Sequence, residues 1–462
     1  MSILAIGADY VEHIRGNLFS LSRTLDKKGN YMKAKIVLSL ALCASLVAAE
    51  EPKKEAKSLE EAFKLAEVKG QIRAVYQSNS KLEGESTADG LIGGKLGIET
   101  APLYGASLGA TFYTSNALVN KKEFKDADYY NIDNKDYTLL GEAFLKYGFD
   151  GGEVKIGRME LDTPFANSDD IRMIPNLFTA AIAQYSPIDK LNITAGVVTQ
   201  MAGWENGGDH ARFIKMGETI SSAVADGGVW DVFFANNSSA MSSKLYMAGV
   251  SYELDILSLQ GWYGRQSEIM DTYYIDASAK LFDSEAFGAS LKAQYMSEKS
   301  IGALKSYSAT FGNEAAKIDG SIYGAAFELE SKAIGLSGVL AYNKSGKKEG
   351  ALSNGGTASF FGGGKDPLFT SMDVETANGE GDIKAYKGEL SFDFEKAGVE
   401  GLSATFAHAY FDKKASSLYA KESDLTLAYG VKNLSVEAML SNIKTKDASD
   451  NNRLRVFVKY DF

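Results

Sequence analysis

The sequence has little of what most catalytic and secreted disulfide-bonded proteins rely on. Of 462 residues one is cysteine, three are histidine, three are tryptophan and six are proline. The lone Cys43 lies in an N-terminal apolar stretch expected to be removed, so the body of the chain has no thiol or disulfide chemistry. His13, His210 and His408 stand far apart, which leaves no zinc-ligand spacing and no histidine-containing catalytic cluster. No Gly-x-Ser-x-Gly elbow presents a nucleophile. Gly362-Gly-Gly-Lys365 fails as a phosphate loop, because Ser359 stands where the first glycine belongs and no Ser/Thr follows Lys365. Long apolar runs are also missing beyond the N-terminal region, so a membrane-spanning body has to cross with strands. The formal net charge is −11. Removing residues 1–49 takes away more base than acid, and an acidic exported chain is a poor partner for nucleic acid.

What is present is glycine, tyrosine and phenylalanine, at 46, 24 and 24 residues. That composition suits strands and aromatic girdles. The last strand shows the pattern most plainly. Leu454, Val456, Val458, Tyr460 and Phe462 form one face, and Arg453, Arg455, Phe457, Lys459 and Asp461 the other. The same alternation recurs from Lys69 onward, as in 71–77, where Ile72, Ala74 and Tyr76 oppose Gln71, Arg73 and Gln77. In 137–149, Leu139, Ala143, Leu145, Tyr147 and Phe149 are expected outward, with Glu142 and Lys146 inward. About eighteen such strands can be counted. Connections after even-numbered strands are short (Asp150–Gly152, Asp255, Val431–Lys432). After odd-numbered strands most are long (115–136, 160–176, 201–243, 297–319, 344–381). Short periplasmic turns and long outer loops are the layout of an outer-membrane barrel. The expected fold is all-β, a closed transmembrane antiparallel β-barrel of about 18 strands over 69–462.

At the start, Met32-Lys-Ala-Lys35, the apolar run Ile36–Ala44 and Val47-Ala48-Ala49 have the three parts of a signal peptide over 32–49. Met1–Tyr31 reads as a mis-assigned upstream extension. Residues 50–68 form a periplasmic segment in which Ser58-Leu-Glu-Glu61 caps a short helix.

Eighteen strands enclose an aqueous lumen that has to be narrowed to select anything. The candidate constriction is 160–176, which mixes Glu160, Asp162, Asp169, Asp170 and Arg172 with the rigid Pro164 and Pro175. Period-two parity places Arg73, Lys146, Lys155, Lys280, Lys292, Arg453 and Arg455 on the pore wall as basic groups. Glu99, Glu142, Asp276, Glu389 and Glu437 face them as acidic ones. The acidic run Asp126, Asp128, Asp133, Asp136 is better read as a solvated loop than as a calcium site.

Gly141-Glu-Ala-Phe-Leu-Lys-Tyr147, Lys155-Ile-Gly-Arg158, Leu161-Asp-Thr-Pro-Phe-Ala-Asn167, Asp170-Ile-Arg172 and Pro175 resemble the OprD-like outer-membrane porins. Ser58–Ala62, Asp366-Pro-Leu-Phe-Thr-Ser371 and the terminal Phe462 extend the likeness. Within the family it is similar to the epsilonproteobacterial branch, with the Campylobacter-type major outer membrane protein. The resemblance implies an inward-folded third loop (160–176) and passive diffusion of small hydrophilic solutes. It also implies partnership with outer-membrane lipid, a homotrimer, and neither cofactor nor catalysis. Acidic outer loops add an expected mild cation preference. The alternatives are a substrate-preferring channel for amino acids or small carboxylates, a surface adhesin or structural barrel built on the long loops, and an outer-membrane enzyme.

Overall fold

The computed structural model describes residues 55–81, 86–118, 127–224, 228–310, 317–357, 367–447 and 450–462. The upstream extension 1–31, the leader 32–49, residues 50–54, Asp126 and the tip 362–365 lie outside the described residues.

Alternation of apolar with polar residues carries the chain into eighteen long antiparallel strands. They are β1 Glu67–Lys81, β2 Thr87–Glu99, β3 Ala106–Ala117, β4 Tyr137–Phe149, β5 Gly152–Met159, β6 Leu177–Ile188, β7 Leu191–Ala202, β8 Leu245–Glu253 and β9 Leu257–Gln266. The second half is β10 Met270–Asp283, β11 Phe287–Ser300, β12 Asp319–Ser331, β13 Leu336–Ser345, β14 Ile383–Asp393, β15 Leu402–Lys413, β16 Leu418–Val431, β17 Leu434–Thr445 and β18 Asn451–Asp461. A two-residue strand, Ile214–Lys215, adds briefly to β7. Each long strand pairs with its sequence neighbours, and β1 pairs with β18 from Gln71↔Asp461 to Lys81↔Asn451. The sheet is therefore closed and has no free edge, the condition for a sheet to sit in lipid. Strands of 8 to 15 residues bracket the roughly 9–11 tilted residues that a bilayer needs.

The two faces differ as the alternation demands. Outward positions carry large apolar side chains: Ile72, Leu96, Phe112, Leu145, Ile275, Leu340, Leu390 and Leu440 are all exposed. Tyrosines gather toward the long-loop ends of the strands. Tyr263 lies against Tyr273 at 5.2 Å, Tyr342 against Tyr386 at 5.1 Å and Tyr410 against Tyr419 at 6.1 Å between ring centres. Such a belt is what a membrane interface selects. Inward positions carry Arg73, Gln77, Lys95, Gln260, Asp276, Lys292 and Arg455.

Parity fails at one place among the expectations. Gly141 is an extra residue in β4: Thr111 faces Glu142, but Phe112 faces Leu140. The bulge exchanges faces. Leu139, expected outward, is buried in a lumen-side cluster with Tyr113, Leu177 and Val75.

Short turns join the strands at one end. Beside the first of them, Ser58 caps α1 (Leu59–Lys64) by accepting the Glu61 N–H at 3.1 Å. This helix docks on the rim through Ala56, Ala62 and Ala101. At the other end, α2 (Met216–Ala223), α3 (Val229–Asn236), α4 (Ser238–Met241) and α5 (Gly302–Thr310) pack Ile220, Trp230, Phe233, Phe234, Leu304 and Tyr307 into a compact apolar cluster. The long loops are thus partly folded.

Candidate lumen constriction

Two loops turn inward from the long-loop end, and the site is the space between them. The first is 160–176, between β5 and β6. Its opening is a tight turn: Pro164 follows Thr163, Thr163 N–H donates to Ala166 O at 2.8 Å, and Thr163 Oγ1 accepts the Ala166 N–H at 2.9 Å. Asp162 closes the turn from below, accepting from Ser168 Oγ at 2.7 Å. Phe165, at the tip, meets the edge of Trp262 on β9 and lies over Gly264, where any Cβ would come within 2.8 Å of its ring.

The chain then crosses the lumen. Asp169 takes a left-handed conformation (φ 36°), which Asp tolerates better than most residues. Its carbonyl accepts from Trp204 Nε1 at 3.2 Å. Asp170 reaches the opposite wall. Its two oxygens accept from Arg73 Nη1 and Nη2 on β1, both at 2.6 Å, and Lys459 on β18 adds a contact at 3.3 Å. Arg73 also donates to Arg172 O at 2.5 Å. Enclosure pushes the Asp170 carboxyl up, and Arg73 and Lys459 more than reverse this, holding it at about 2. Arg172 turns away to Asp128 at 2.8 Å and stacks its guanidinium 4.4 Å from the Trp204 ring. Glu160, at the foot of the loop, accepts from Tyr113 at 2.5 Å and from Lys95 at 2.9 Å.

The second inward segment, 367–378, belongs to the loop between β13 and β14. Sequence reasoning noted Asp366–Ser371 only as part of an outer loop. Phe369 N–H donates to Gln294 (3.2 Å), and Thr370 N–H and Oγ1 donate to Asn343 (3.0 Å each). Val374 and Glu375 N–H donate to the buried Glu422 at 3.1 and 2.7 Å. Asp373 accepts from Arg455 at 2.7 Å and Arg453 at 3.1 Å. Burial would raise its carboxyl, and Arg455 and Arg453 turn the shift downward.

Between the two segments lies a cavity of about 570 Å3. Asp169, Glu205, Glu298, Asp373, Glu375, Glu389 and Asp424 line it, against Arg172, Lys387 and Arg455. Its apolar surface includes Phe165, Trp204 and four methionines, Met270, Met296, Met372 and Met439. Glu205 accepts from Asn176 Nδ2 at 2.6 Å. Burial and the neighbouring Asp169 raise its carboxyl to about 7, against the opposing pull of Asn176 and Arg172.

The other wall residues named from parity are not all here. Lys146 pairs with Glu99 at 2.5 Å, Lys155 with Glu142 at 3.8 Å while lying over the Phe144 ring, and Lys292 with Glu328 at 2.5 Å. These pairs sit on the wall outside the cavity lining. Lys280 is exposed beside a bulge at the short-turn end, 4.0 Å from Asp283, and reaches no part of the constriction. Of the acidic loop run, Asp128 serves Arg172, Asp133 lies 3.5 Å from Lys135 and Asp136 accepts the Ala117 N–H. Among the described residues no three His, Cys, Asp or Glu converge as metal ligands would.

Sequence reasoning missed Lys95, Tyr113, Glu205, Asp373, Glu422 and Lys459 as site residues. Lys459 shared its face with Arg453 and Arg455 and was legible by the same parity. Asp373 and Glu205 lie in loops without a period, where no pattern singles them out.

The sequence matches the outer-membrane porin family OprD over residues 89–462. The chain belongs to the OprD family. Among curated protein sequences nothing matches it. The fold is similar to that of Pseudomonas aeruginosa OpdK, crystallised with vanillate (TM-score 0.69, 17% identity, 86% of this chain and 98% of that one). It is similar also to Acinetobacter baumannii OccAB1 (TM-score 0.70, 18% identity, 89% and 99%) and to Pseudomonas aeruginosa OccK9 (TM-score 0.69, 17% identity, 86% and 98%). As an OprD porin the barrel resides in the bacterial outer membrane, with its short turns periplasmic and its long loops outside.

Proposed function

We propose that the chain is a passive, water-filled channel for small hydrophilic solutes and ions, with a mild preference for cations. The observation that carries the cation preference is the lining of the cavity, seven acidic side chains against three basic ones. A low-dielectric wall focuses such a field and raises the local concentration of the opposite charge. Glu160, Asp162, Asp169, Asp170 and Arg172 belong, on this reading, to the constriction. Their support is the loop's span from Trp262 on β9 to Arg73 and Lys459 on the first and last strands.

OpdK was crystallised with a carboxylate, vanillate. In this chain the cations nearest the cavity are themselves held by carboxylates, which favours the less selective role. A homotrimer and membership of the epsilonproteobacterial branch complete the proposal on the resemblance, a leader ending at Ala49 on the three-part pattern of 32–49, and the absence of turnover on the resemblance and the scattered histidines. Native mass in detergent tests the assembly, and N-terminal sequencing tests the leader.

The deciding experiment is single-channel recording of residues 50–462 in planar bilayers with a KCl gradient. Discrete ohmic steps with a reversal potential of cationic sign are expected. A folded barrel that gives no steps would refute the channel reading, and an anionic sign would refute the preference.

A further inference from the structure

Asp373 is held by the barrel wall as a bound carboxylate would be. Its Oδ1 accepts from Arg455 Nη2 and its Oδ2 from Arg453 Nη1, so one carboxylate bridges two guanidiniums. All three side chains are largely enclosed, at 3%, 2% and 17% exposure. Arg455 retains unused capacity. Its Nε and Nη1 are buried and have no hydrogen-bond partner among the described residues. A buried guanidinium left in this state is costly unless a full negative charge sits on it. In this chain that charge comes from a loop residue.

The loop does not depend on Asp373 for its own placement. Thr370 is fastened to Asn343, and the Val374 and Glu375 N–H groups to Glu422. These anchors flank Asp373 on both sides and aim its carboxylate at the arginines. Asp170 does the same at Arg73 and Lys459 from the other loop.

We propose that Asp373 determines specificity: it is a tethered carboxylate that fills a two-arginine seat, which would otherwise take a small diffusing carboxylate. The proposal rests on the channel reading above and adds to it a named residue and an excluded class of solute. Capping by the chain's own carboxylate offsets one of the two positive charges of Arg453 and Arg455 and fills the seat between them, and the remaining acidic lining sets the field.

The test is planar-bilayer recording of the full barrel with Asp373→Asn and, separately, Arg455→Gln. Reversal potential in a KCl gradient and KCl conductance during succinate titration are the readouts. Asp373→Asn should lower the cation-to-anion permeability ratio by about threefold and make the conductance fall saturably with millimolar succinate, to which the unmodified channel is indifferent. Arg455→Gln should raise the ratio. Asp373→Asn channels with an unchanged ratio and no succinate block overturn the proposal, as does a shift of both variants in the same direction. Should Asp373→Asn give no steps, Arg455→Gln decides: an unchanged or lower ratio overturns it. Loss of steps in the unmodified chain would instead count against the channel reading.

Discussion

Single side chains set both the fastening of the 160–176 loop and the charge of the proposed constriction. Asp170 keeps its grip on Arg73 because its carboxyl titrates at about 2, below the ordinary 3.8. A carboxyl lowered in this way contributes stability that is present above about pH 4 and is lost as the pH falls through 2. The third loop should therefore stay fastened across the whole neutral and mildly acid range. Asp170→Asn removes that hold. A fully buried pair costs about 3–5 kcal/mol to break, but Asp170 is 36% open to lumen water, so about 1–2 kcal/mol is expected. That is roughly a tenfold larger population of released loop, readable as increased open-channel current noise. Glu205 behaves oppositely. Raised to about 7, it is neutral below that pH and charged above it, and it faces the cavity. Cation preference should rise between pH 6 and pH 8, and Glu205→Gln should abolish the rise. Reversal potentials at the two pH values measure both.

At the scale of the strand, alternation was legible and its interruptions were not. Parity could put Arg73, Lys146, Lys155, Lys292, Arg453 and Arg455 on the strand face opposite the apolar one, because a strand has only two faces. It could not place Leu139, because Gly141 inserts a residue and exchanges the faces beyond it. A Cβ at Gly141 would come within 2.5 Å of the Tyr113 ring and 2.6 Å of Leu177. Tyr113 in turn donates to Glu160. Gly141→Val should therefore lower the unfolding temperature of the barrel, at a cost of about 1–3 kcal/mol, and loosen the foot of the third loop. Heat-modified mobility on a gel measures the first effect. The extent of β2 was also hidden. Only 94–99 alternates clearly, yet the strand begins at Thr87, because Gly90, Gly93 and Gly94 give no apolar signal. Gly94 is needed there: its φ is +130°, and a Cβ would strike Gln71 O at 1.9 Å.

For the whole molecule, the strand number and the alternation of turn lengths were readable, because both follow from closing a sheet in a membrane. The course of the inward loops was not readable. Asp373 finds Arg453 and Arg455 over a separation of about eighty residues, and no period announces such a contact. The terminal Phe462 completes the closure. Its N–H donates to Gly70 O at 2.9 Å, Gly70 N–H donates back at 2.8 Å, and its ring covers Gly70 so closely that a Cβ there would lie 2.3 Å from Cζ. Deleting Phe462 should lower the unfolding temperature and slow refolding into detergent, both followed by the same gel shift.

The basic side chains that hold Asp170 and Asp373 share one location. Arg73 belongs to the first strand, Lys459, Arg453 and Arg455 to the last, and Arg453 also donates to Asn79 across the join at 3.0 Å. The charged mooring of the 160–176 loop is thus divided between the two edges of the sheet, which are neighbours only after the edges meet, whereas the second loop also has backbone anchors on Asn343 and Glu422, away from the join. A partly closed cylinder would possess every strand and still lack the paired cations that hold Asp170. Completing the wall and assembling that mooring are for this reason a single event.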